Sequence, residues 1–307
     1  MSWSTEDIPD LTGRRALVTG VTGGLGEHTA TGLARNGADV IVTARNAAKA
    51  EPVMSRLRQS ARGQVSLVDL DLADLASVQR TAESLLQTYD RLDVVVNNAG
   101  VMAPPKRRTA DGFELQIGTN HLGHFALTGR LWPLLSARSG RVVFVSSMAH
   151  RMVNSVDLRS LQPGGDPRSY QRWRSYAESK LANLMTALEL GERAAGTGVV
   201  SVAAHPGYAA TDLQRTGPEM AGGPTLQSRA MLLLNQVIAQ PATAGAWPVL
   251  LAATLPGLAS GAYLGPDGVG EVRGRPTLVG TSAAARDRAS RAALWAASEA
   301  ATGVSFP

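Results

Sequence analysis

Short runs of consecutive apolar residues alternate along the chain with longer segments whose apolar positions recur every three or four residues. The longer segments predict amphipathic helices. The short runs show no polar alternation, which is typical of parallel strands with helices covering both faces. The predicted strands are Arg15–Thr19, Asp39–Ala44, Val65–Asp69, Leu92–Asn97, Arg141–Ser146 and Val199–Ala204. The predicted helices lie near Leu25–Asn36, Ala47–Ala61, Leu75–Tyr89, Asp111–Ala137 and Tyr176–Ala195.

The strict alternation of strand and helix predicts an α/β protein with right-handed crossovers and a Rossmann-type, doubly wound parallel sheet. Polar or small residues follow each predicted strand directly, where such sheets bind their ligands. Because the carboxyl ends of parallel strands meet at one edge, these residues outline a single long cleft. They are Thr19-Gly20, Arg45-Asn46, Asp69-Leu70-Asp71, Asn97-Asn98-Ala99-Gly100, Ser146-Ser147 and His205-Pro206-Gly207.

The regular alternation ends near Gln214. A loop rich in glycine and proline follows, then an apolar helix at Leu226–Ala239, a strand-like Gly261–Gly265 and a final helix around Ala283–Ala301. We interpret residues 1–307 as one dinucleotide-binding domain. Its predicted subdivisions are an N-terminal extension (1–12), a substrate lid (213–260) and a C-terminal helix with its tail (282–307).

Composition narrows the class of protein. The chain has 307 residues, 44% hydrophobic and 18% charged, which suits a soluble globular protein with a sizeable core. The formal charge is only +5, and no dense basic run carries interleaved aromatic residues, so we expect no nucleic-acid partner. Cysteine is absent, which excludes disulfides and cysteine nucleophiles. The five histidines show no metal-protease spacing, and we expect no metal. His121 and His124 share a helix face, and packing or surface roles suit them best.

The sequence was also compared with the patterns of signal peptides and membrane-spanning segments. The first ten residues contain no basic segment that leads into an apolar stretch, so we predict no signal peptide. The apolar windows at Met231–Ile238 and Trp247–Leu255 are too short to span a membrane. We therefore expect a cytoplasmic protein without a membrane partner.

A glycine-rich turn, Thr19-Gly20-Val21-Thr22-Gly23-Gly24-Leu25-Gly26, follows the first predicted strand. Gly20 permits a sharp turn, while Gly24 and Gly26 let the backbone approach a pyrophosphate and let the helix pack on the sheet. The N-terminus of the helix that begins near Leu25 then offers free N–H groups to phosphates. This strand–turn–helix context predicts a dinucleotide-binding site.

The end of the second strand bears on the choice of coenzyme. A carboxylate there usually binds the ribose hydroxyls of NAD, whereas an arginine accommodates the 2′-phosphate of NADP. Here Ala44 occupies the expected acidic position and Arg45 follows it. The forked guanidinium suits a phosphate, so NADP(H) is favoured. A solvated surface arginine is the alternative interpretation, and NAD(H) stays open as the coenzyme.

Tyr176 and Lys180 are spaced to lie on one face of a helix. A free tyrosine has a pKa of about 10, and lowering it by about three units needs roughly 4 kcal/mol. A neighbouring cation favours the phenolate. We predict that Lys180 and the positive ring of an oxidised nicotinamide supply this stabilisation together. The spacing alone favours an ordinary surface pair on an amphipathic helix, but together with the upstream glycine turn it indicates a hydride-transfer enzyme with a tyrosine acid–base.

The motifs occur in the order found in the short-chain dehydrogenase/reductase family, which the chain resembles over nearly its whole length. They are Thr19-Gly20-x-x-x-Gly24-x-Gly26, Asn97-Asn98-Ala99-Gly100, Asn120, Ser147, Tyr176-x-x-x-Lys180 and Pro206-Gly207. Four further segments resemble the retinol dehydrogenase-like branch: Thr119–Phe125, Ser146–His150, Ser179–Asn183 and Leu294–Glu299. The resemblance to this branch implies NADP and a lipophilic alcohol or carbonyl substrate, such as a retinoid or a steroid.

The resemblance also implies roles for single residues. Tyr176 would exchange a proton with the substrate oxygen, which Ser147 would hydrogen-bond. Lys180 would bind the nicotinamide ribose and lower the tyrosine pKa, and Asn120 would position a water that relays the proton. The implied coenzyme contacts are the glycine-turn residues Gly20, Thr22, Gly23, Gly24, Leu25 and Gly26, then Arg45, Asp71 and Leu72 beside the adenine, Asn98, Ala99 and Gly100 on the adenosine side, and Pro206, Gly207 and Thr211 at the carboxamide.

An apolar substrate needs an apolar pocket. Candidate lining residues, for which core packing is the alternative, are Met152, Val153, Leu213, Met220, Met231 and Leu232–Leu234. Family members assemble as dimers or tetramers through their long helices, so we expect a homo-oligomer through Asp111–Ala137 and Tyr176–Ala195, with a monomer as the alternative. The alternative function is a non-catalytic dinucleotide-binding regulator on the same fold.

Overall fold

A computed structural model describes residues 3–165, 170–208 and 240–307. The described strands form one sheet in the order β3-β2-β1-β4-β5-β6-β7-β8. All neighbouring strands are parallel except β7 and β8, which pair antiparallel at one edge. The strands are β1 Arg15–Thr19, β2 Asp39–Ala44, β3 Val65–Asp69, β4 Val94–Asn97, β5 Arg141–Val145, β6 Val200–Ala204, β7 Tyr263–Pro266 and β8 Pro276–Leu278. The predicted doubly wound parallel sheet is confirmed.

Helices cover both faces of this sheet. They are α1 Gly24–Arg35, α2 Ala47–Ser60, α3 Leu75–Thr88, α4 Leu115–Ile117, α5 Gly123–Arg130, α6 Trp132–Ser136, α7 Arg172–Arg193, α8 Ala242–Gly245, α9 Trp247–Thr254, α10 Ala283–Arg286 and α11 Arg288–Thr302. Two apolar layers result: Leu17 and Val95 face one layer, and Val18 and Val96 face the other. Burying each of these side chains stabilises the fold by about 1.5–3 kcal/mol. The continuous apolar sequences of the strands therefore favour a sheet that is covered by helices on both faces.

The helix predicted over Asp111–Ala137 is wrong in its bounds and continuity. Residues 111–114 are not helical, because Asp111 accepts a hydrogen bond from the amide of Leu75 and Glu114 caps α4. A π-helical turn, Gly118–Leu122, separates α4 from α5. A further break follows Arg130, and α6 begins with a proline near its N-terminus. The π-helical turn carries Asn120, and such turns are frequent at functional sites.

The two helices through which we expect a homo-oligomer are extensively buried within the chain. Every residue from Gly123 to Gly129 is buried, as is every residue from Ser175 to Ala187. The C-terminal helix α11 packs on both helices, and the Trp295 and Phe125 rings meet edge to face with centroids 4.9 Å apart. These buried residues are contacted within the chain, and the homo-oligomer through the two helices stays a prediction.

The C-terminal part of the predicted lid belongs to the body of the fold. α9 lies against β5, β6 and β7, and residues 248–254 are all buried. Its sequence is apolar all round, which is typical of a helix buried within a protein. Residues 213–239 of the predicted lid, with the predicted helix Leu226–Ala239, lie outside the described residues. Within the described ranges, no helix combines the length and apolarity needed to cross a bilayer.

Candidate active site

A cleft of about 560 Å³ opens at the carboxyl ends of β1, β2, β3 and β4. The structure brings together there all of the residues that the sequence assigned to the pyrophosphate, adenine and adenosine. These are Gly20, Thr22, Gly23, Gly24, Leu25, Gly26, Arg45, Asp71, Leu72, Asn98, Ala99 and Gly100. Residues that the sequence analysis did not assign complete the lining: Thr43, Ala44, Asn46, Lys49, Leu70, Val101 and Thr119.

The glycine turn leaves backbone donors open to this cleft. Gly20 has φ +72°, and a Cβ there would lie 2.7 Å from that of Ala99. Helix α1 begins after Gly23 without a side-chain cap, whereas Asn46 caps α2 and Asp74 caps α3. The first amides of α1 therefore have no side-chain acceptor at their end of the helix. An uncapped helix N-terminus in a glycine-lined cleft suits a pyrophosphate, so the residues present fit a dinucleotide.

Two polar residues behind the turn fix its shape. The Asn98 side chain donates hydrogen bonds to the carbonyls of Thr19, at 2.8 Å, and Gly20, at 3.1 Å. The Thr19 hydroxyl accepts hydrogen bonds from the amides of Asn98 and Ala99 and lies 2.9 Å from Nε2 of His124. Sequence reasoning missed Thr19 and the polar role of His124. The only signal was a histidine among apolar residues one helical turn after Asn120.

The far end of the cleft is basic. Arg45 follows β2, and Lys49 lies one turn into α2; both side chains are exposed and both line the cleft. The amide of Lys49 donates to the Asn46 side chain, which fixes the start of α2 beside Arg45. Lys49 was not assigned from sequence, although its spacing from Arg45 places both cations at one end of the same helix.

Ser147, Tyr176 and Lys180 lie together at the other end of the cleft region. The Tyr176 phenol and the Ser147 hydroxyl share a hydrogen bond. Nζ of Lys180 lies 5.8 Å from the centroid of the Tyr176 ring and donates to the carbonyl of Val145 at 3.0 Å. A Cβ on Gly100 would lie 3.7 Å from Nζ of Lys180. The adenosine side of the cleft therefore continues directly into this cluster.

Burial shifts the pKa values of both members of the pair. Burial raises the pKa of Tyr176 to about 12, with the hydrogen bond to Ser147 opposing the shift. Burial lowers the pKa of Lys180 to about 8. Without the coenzyme, desolvation of the phenol dominates its pKa. The sequence expectation combines Lys180 with the positive ring of an oxidised nicotinamide, so the lowered tyrosine pKa stays a prediction. Tyr176 is a protonated phenol at neutral pH.

Asn120 stabilises the turn that joins the cleft to the catalytic cluster. Its Oδ1 accepts from the amide of Val101 at 2.8 Å, and its Nδ2 donates to the Val101 carbonyl and to Oγ of Ser179. Both polar atoms of the side chain are thus bonded to protein groups. The water relay implied by the family resemblance stays a prediction.

The remaining assigned residues lie on other loops. Pro206 and Gly207 follow β6, and Gly207 has φ +66°. The side chain of Met152 is largely exposed, and Val153 is half-buried. Outside the described residues lie Thr211, Leu213, Met220, Met231 and Leu232–Leu234.

Comparison with known proteins agrees with this geometry. Residues 14–157 match the family model described as short chain dehydrogenase. The chain is 39% identical to an uncharacterised protein from Mycobacterium paratuberculosis, whose crystal structure superposes over 100% of both chains with a TM-score of 0.80. The complex of Pseudomonas aeruginosa RhlG with NADP is 25% identical over 83% of this chain and 94% of that chain, with a TM-score of 0.61.

The chain belongs to the short-chain dehydrogenase/reductase family. Within it, the chain is 43% identical to mouse retinol dehydrogenase 14 over 217 residues, which confirms the retinol dehydrogenase-like branch. That match spans 66% of this chain and 63% of the mouse protein, just under two thirds of its length.

Proposed function

We propose that the protein catalyses NADP-dependent hydride transfer between a nicotinamide ring and a lipophilic carbonyl compound or its alcohol. The observation that carries the proposal is the continuity between the glycine-lined cleft and the cluster of Ser147, Tyr176 and Lys180. Gly100 contributes to both, because it lines the cleft and lies beside Nζ of Lys180. A dinucleotide bound along the cleft would thus end beside a proton donor.

The protonation state of the cluster suits the reduction of a carbonyl. Tyr176, with a pKa of about 12, donates its proton to the carbonyl oxygen, and the Ser147 hydroxyl hydrogen-bonds the same oxygen as negative charge develops on it. When bound, the reduced coenzyme supplies the hydride that the carbonyl carbon receives. The ammonium of Lys180, 5.8 Å from the ring centroid, stabilises the phenolate left behind until solvent returns a proton. Oxidation of the alcohol runs the same proton transfer backwards.

The basic end of the cleft supports NADP over NAD. Arg45 and Lys49 both line the region that follows β2, where a 2′-phosphate would lie. No acidic side chain occupies the position after Thr43, where NAD-binding sites commonly carry one. The NADP complex of RhlG shows that a relative of this fold binds this coenzyme.

The surroundings of Tyr176 support an apolar substrate. Trp173 is 51% exposed, and its ring meets that of Tyr176 edge-on, with centroids 6.2 Å apart and an interplanar angle of 87°. Met152, five residues after Ser147, is 65% exposed. A large exposed apolar side chain such as Trp173 beside the phenol favours a lipophilic ligand. The relatives named retinol dehydrogenases support the same class of substrate.

Tyrosine replacement tests the proposal. Turnover is followed as NADPH consumption with steroid, retinoid, aliphatic aldehyde and aromatic ketone substrates. We expect Tyr176→Phe to abolish turnover while NADPH binding, measured by fluorescence titration, is retained. Tyr170→Phe is the matched control, since it removes the hydroxyl of another tyrosine, which donates to the carbonyl of Pro104 at 2.7 Å. Undiminished turnover in Tyr176→Phe would refute the chemistry, and wild-type protein that binds NADPH but turns over none of these substrates would favour the regulator.

A further inference from the structure

Glu271 has an unusual backbone conformation next to the candidate active site. It ends the 3₁₀ turn Val269–Glu271 between β7 and β8 and has φ +57°. L residues adopt this left-handed conformation rarely and at an energetic cost. Such a conformation persists where the surroundings determine it, so the contacts of the side chain indicate what retains it.

The carboxylate of Glu271 joins two loops that carry predicted site residues. It accepts hydrogen bonds from Nη2 of Arg151, at 2.7 and 2.9 Å, and lies 2.9 Å from Nε2 of His205. Arg151 lies four residues after Ser147, in the 3₁₀ helix Met148–Met152. His205 begins the loop His205–Tyr208, which contains Pro206 and Gly207. We call this set of contacts, Glu271 with Arg151 and His205, the Glu271 bridge.

The tautomer of His205 determines which ring nitrogen donates to Glu271 and which accepts from the loop backbone. Nδ1 of His205 accepts a hydrogen bond from the amide of Gly207 at 3.2 Å, so Nε2 carries the ring proton and donates it to Glu271. Burial lowers the pKa of His205 to about 4, although Glu271 opposes the shift. The neutral ring therefore connects the carboxylate to the backbone of the loop.

Backbone contacts bring the same loop against the same turn. The amide of Tyr208 donates to the carbonyl of Val272 at 2.7 Å. A Cβ on Gly207 would lie 2.5 Å from the Val272 carbonyl oxygen and 3.0 Å from that of Glu271. The side chain of Gln240 donates to the Pro206 carbonyl at 2.6 Å. The loop is thus bound by its backbone at successive residues. The strand before it already contacts the Ser147 side, because the amide of Ser146 donates to the carbonyl of Ala204 at 2.8 Å. Glu271 adds a side-chain link from the loop itself to Arg151.

We propose that Glu271 is a positioning residue that fixes the loop His205–Tyr208 relative to the turn that carries Ser147. The inference rests on the proposed function and on the role that the family resemblance implies for Pro206 and Gly207, contact with the carboxamide of the nicotinamide. With the bridge intact, the loop and Ser147 keep one spacing, and the ring lies where Tyr176 and Ser147 can reach the substrate oxygen. Without it, the loop loses the side-chain link from His205 to Arg151 and keeps its backbone hydrogen bonds to β7 and Val272.

The test uses variants of Glu271 in the full chain. Glu271→Ala removes the carboxylate and keeps an L residue at φ +57°, so backbone strain is matched. Glu271→Gln keeps an oxygen that can accept from His205, and partial recovery is expected. The control is Glu189→Gln, because Glu189 is also a part-buried carboxylate bonded to an arginine, at 2.9 Å from Nε of Arg193, but lies on α7 away from the loop.

Three measurements separate the outcomes. In coenzyme-free Glu271→Ala we expect the Gly207 and Tyr208 amides to exchange hydrogen about tenfold faster, as expected when a charge-assisted bond is lost. We expect about tenfold weaker NADPH binding and a lower kcat, with unchanged binding of 2′,5′-ADP, which lacks the nicotinamide. Glu189→Gln should change the melting temperature alone.

Different results would overturn the bridge, its positioning role or the proposed function. Unchanged amide exchange in Glu271→Ala would overturn the bridge as the link that holds the loop. Faster exchange with unaltered NADPH affinity and kcat would overturn the positioning role, and so would equal losses for NADPH and 2′,5′-ADP. Wild-type protein that binds no nicotinamide coenzyme would overturn the proposed function and this role with it, whereas the exchange result would still decide whether the bridge exists.

Discussion

Nε2 of His124 and the hydroxyl of Thr19 lie 2.9 Å apart in the buried interior, although 105 residues separate them in the chain. Nδ1 of His124 lies 2.9 Å from the carbonyl of Asn120 and donates to it, so Nε2 is the acceptor and the Thr19 hydroxyl the donor. The Thr19 oxygen in turn accepts from the amides of Asn98 and Ala99. One neutral imidazole thus connects the end of β1, the loop after β4 and the π-helical turn.

Replacing His124 by leucine should therefore affect both stability and the coenzyme cleft. The change removes the hydrogen bonds of His124 to the Thr19 hydroxyl and the Asn120 carbonyl. Each lost bond costs about 0.5–1.5 kcal/mol, because the Thr19 hydroxyl can still donate to the carbonyl of Val96, 3.3 Å away. We expect a lower free energy of unfolding in urea and weaker NADPH binding. His28→Leu, on α1 and only half-buried, serves as the control. A His124→Leu variant as stable as the wild type would contradict the connection.

Buried histidines should make the protein sensitive to acid. Burial lowers the pKa of His121 to about 3 and the pKa values of His124 and His205 to about 4, from an ordinary value of 6.5. Below pH 6.5 the unfolded chain binds protons at these sites and the folded chain does not, so stability falls as pH falls from about 6.5 toward 4. The full stabilisation is present above pH 6.5. Each histidine contributes a slope of up to about 1.4 kcal/mol per pH unit.

A histidine variant isolates this effect from other titrating groups. Burial raises the pKa values of Glu114 and Glu178, which act in the opposite sense as pH falls. The comparison is therefore between wild type and His121→Gln, by urea unfolding at pH 7.0 and at about pH 5. The glutamine can still bond Ser298, which lies 2.7 Å from Nε2 of His121. Between the two pH values, we expect the free energy of unfolding to fall less in the variant than in the wild type. The difference should approach the linkage of one proton, up to about 1.4 kcal/mol per pH unit. Equal losses would exclude His121 as a buried neutral residue.

The sequence predicts those parts of the structure that depend on local patterns. Strands β1 to β6 appear within two residues of their predicted bounds, because continuous apolar runs in a doubly wound sheet must be buried on both faces. The coenzyme residues are gathered by the topology itself, since they follow parallel strands at one edge. The break at Gly118–Leu122 was not foreseen, because every residue from Gly118 to Gly129 is buried and the sequence there has no polar face whose shift would reveal a π-helical turn.

Properties that depend on tertiary contacts could not be predicted. The raised pKa of Tyr176 follows from burial by surrounding elements, whereas the sequence shows only its spacing from Lys180. The partner of His124 lies on β1, far away in the chain. Glu271 belongs to a short irregular turn without periodicity, so nothing in its neighbourhood indicated a link to Arg151 and His205.

The basic end of the cleft predicts the coenzyme preference. Arg45→Ala and Lys49→Ala should each weaken NADPH binding by about tenfold, because each removes a charged contact to the 2′-phosphate. NADH lacks that phosphate, so its affinity should stay within about twofold. Titrations of both coenzymes against both variants, at one ionic strength, check the prediction. Losses of equal size for NADPH and NADH would show that Arg45 and Lys49 do not bind the 2′-phosphate.

Trp173 should select for large apolar substrates without taking part in the chemistry. Its indole is half exposed and meets the ring of Tyr176 edge-on, so an apolar substrate bound to the phenol would bury it further. Burying about half of a tryptophan side chain, on the order of 100 Å², is worth about 2.5 kcal/mol. Trp173→Ala should therefore raise KM for a steroid or retinoid by roughly 50-fold while changing kcat/KM for a short aliphatic aldehyde by less than about threefold. Leu86→Ala, which trims an exposed apolar residue on α3, is the control. If kcat/KM falls equally for the steroid and the short aldehyde, Trp173 positions Tyr176 and does not bind the substrate.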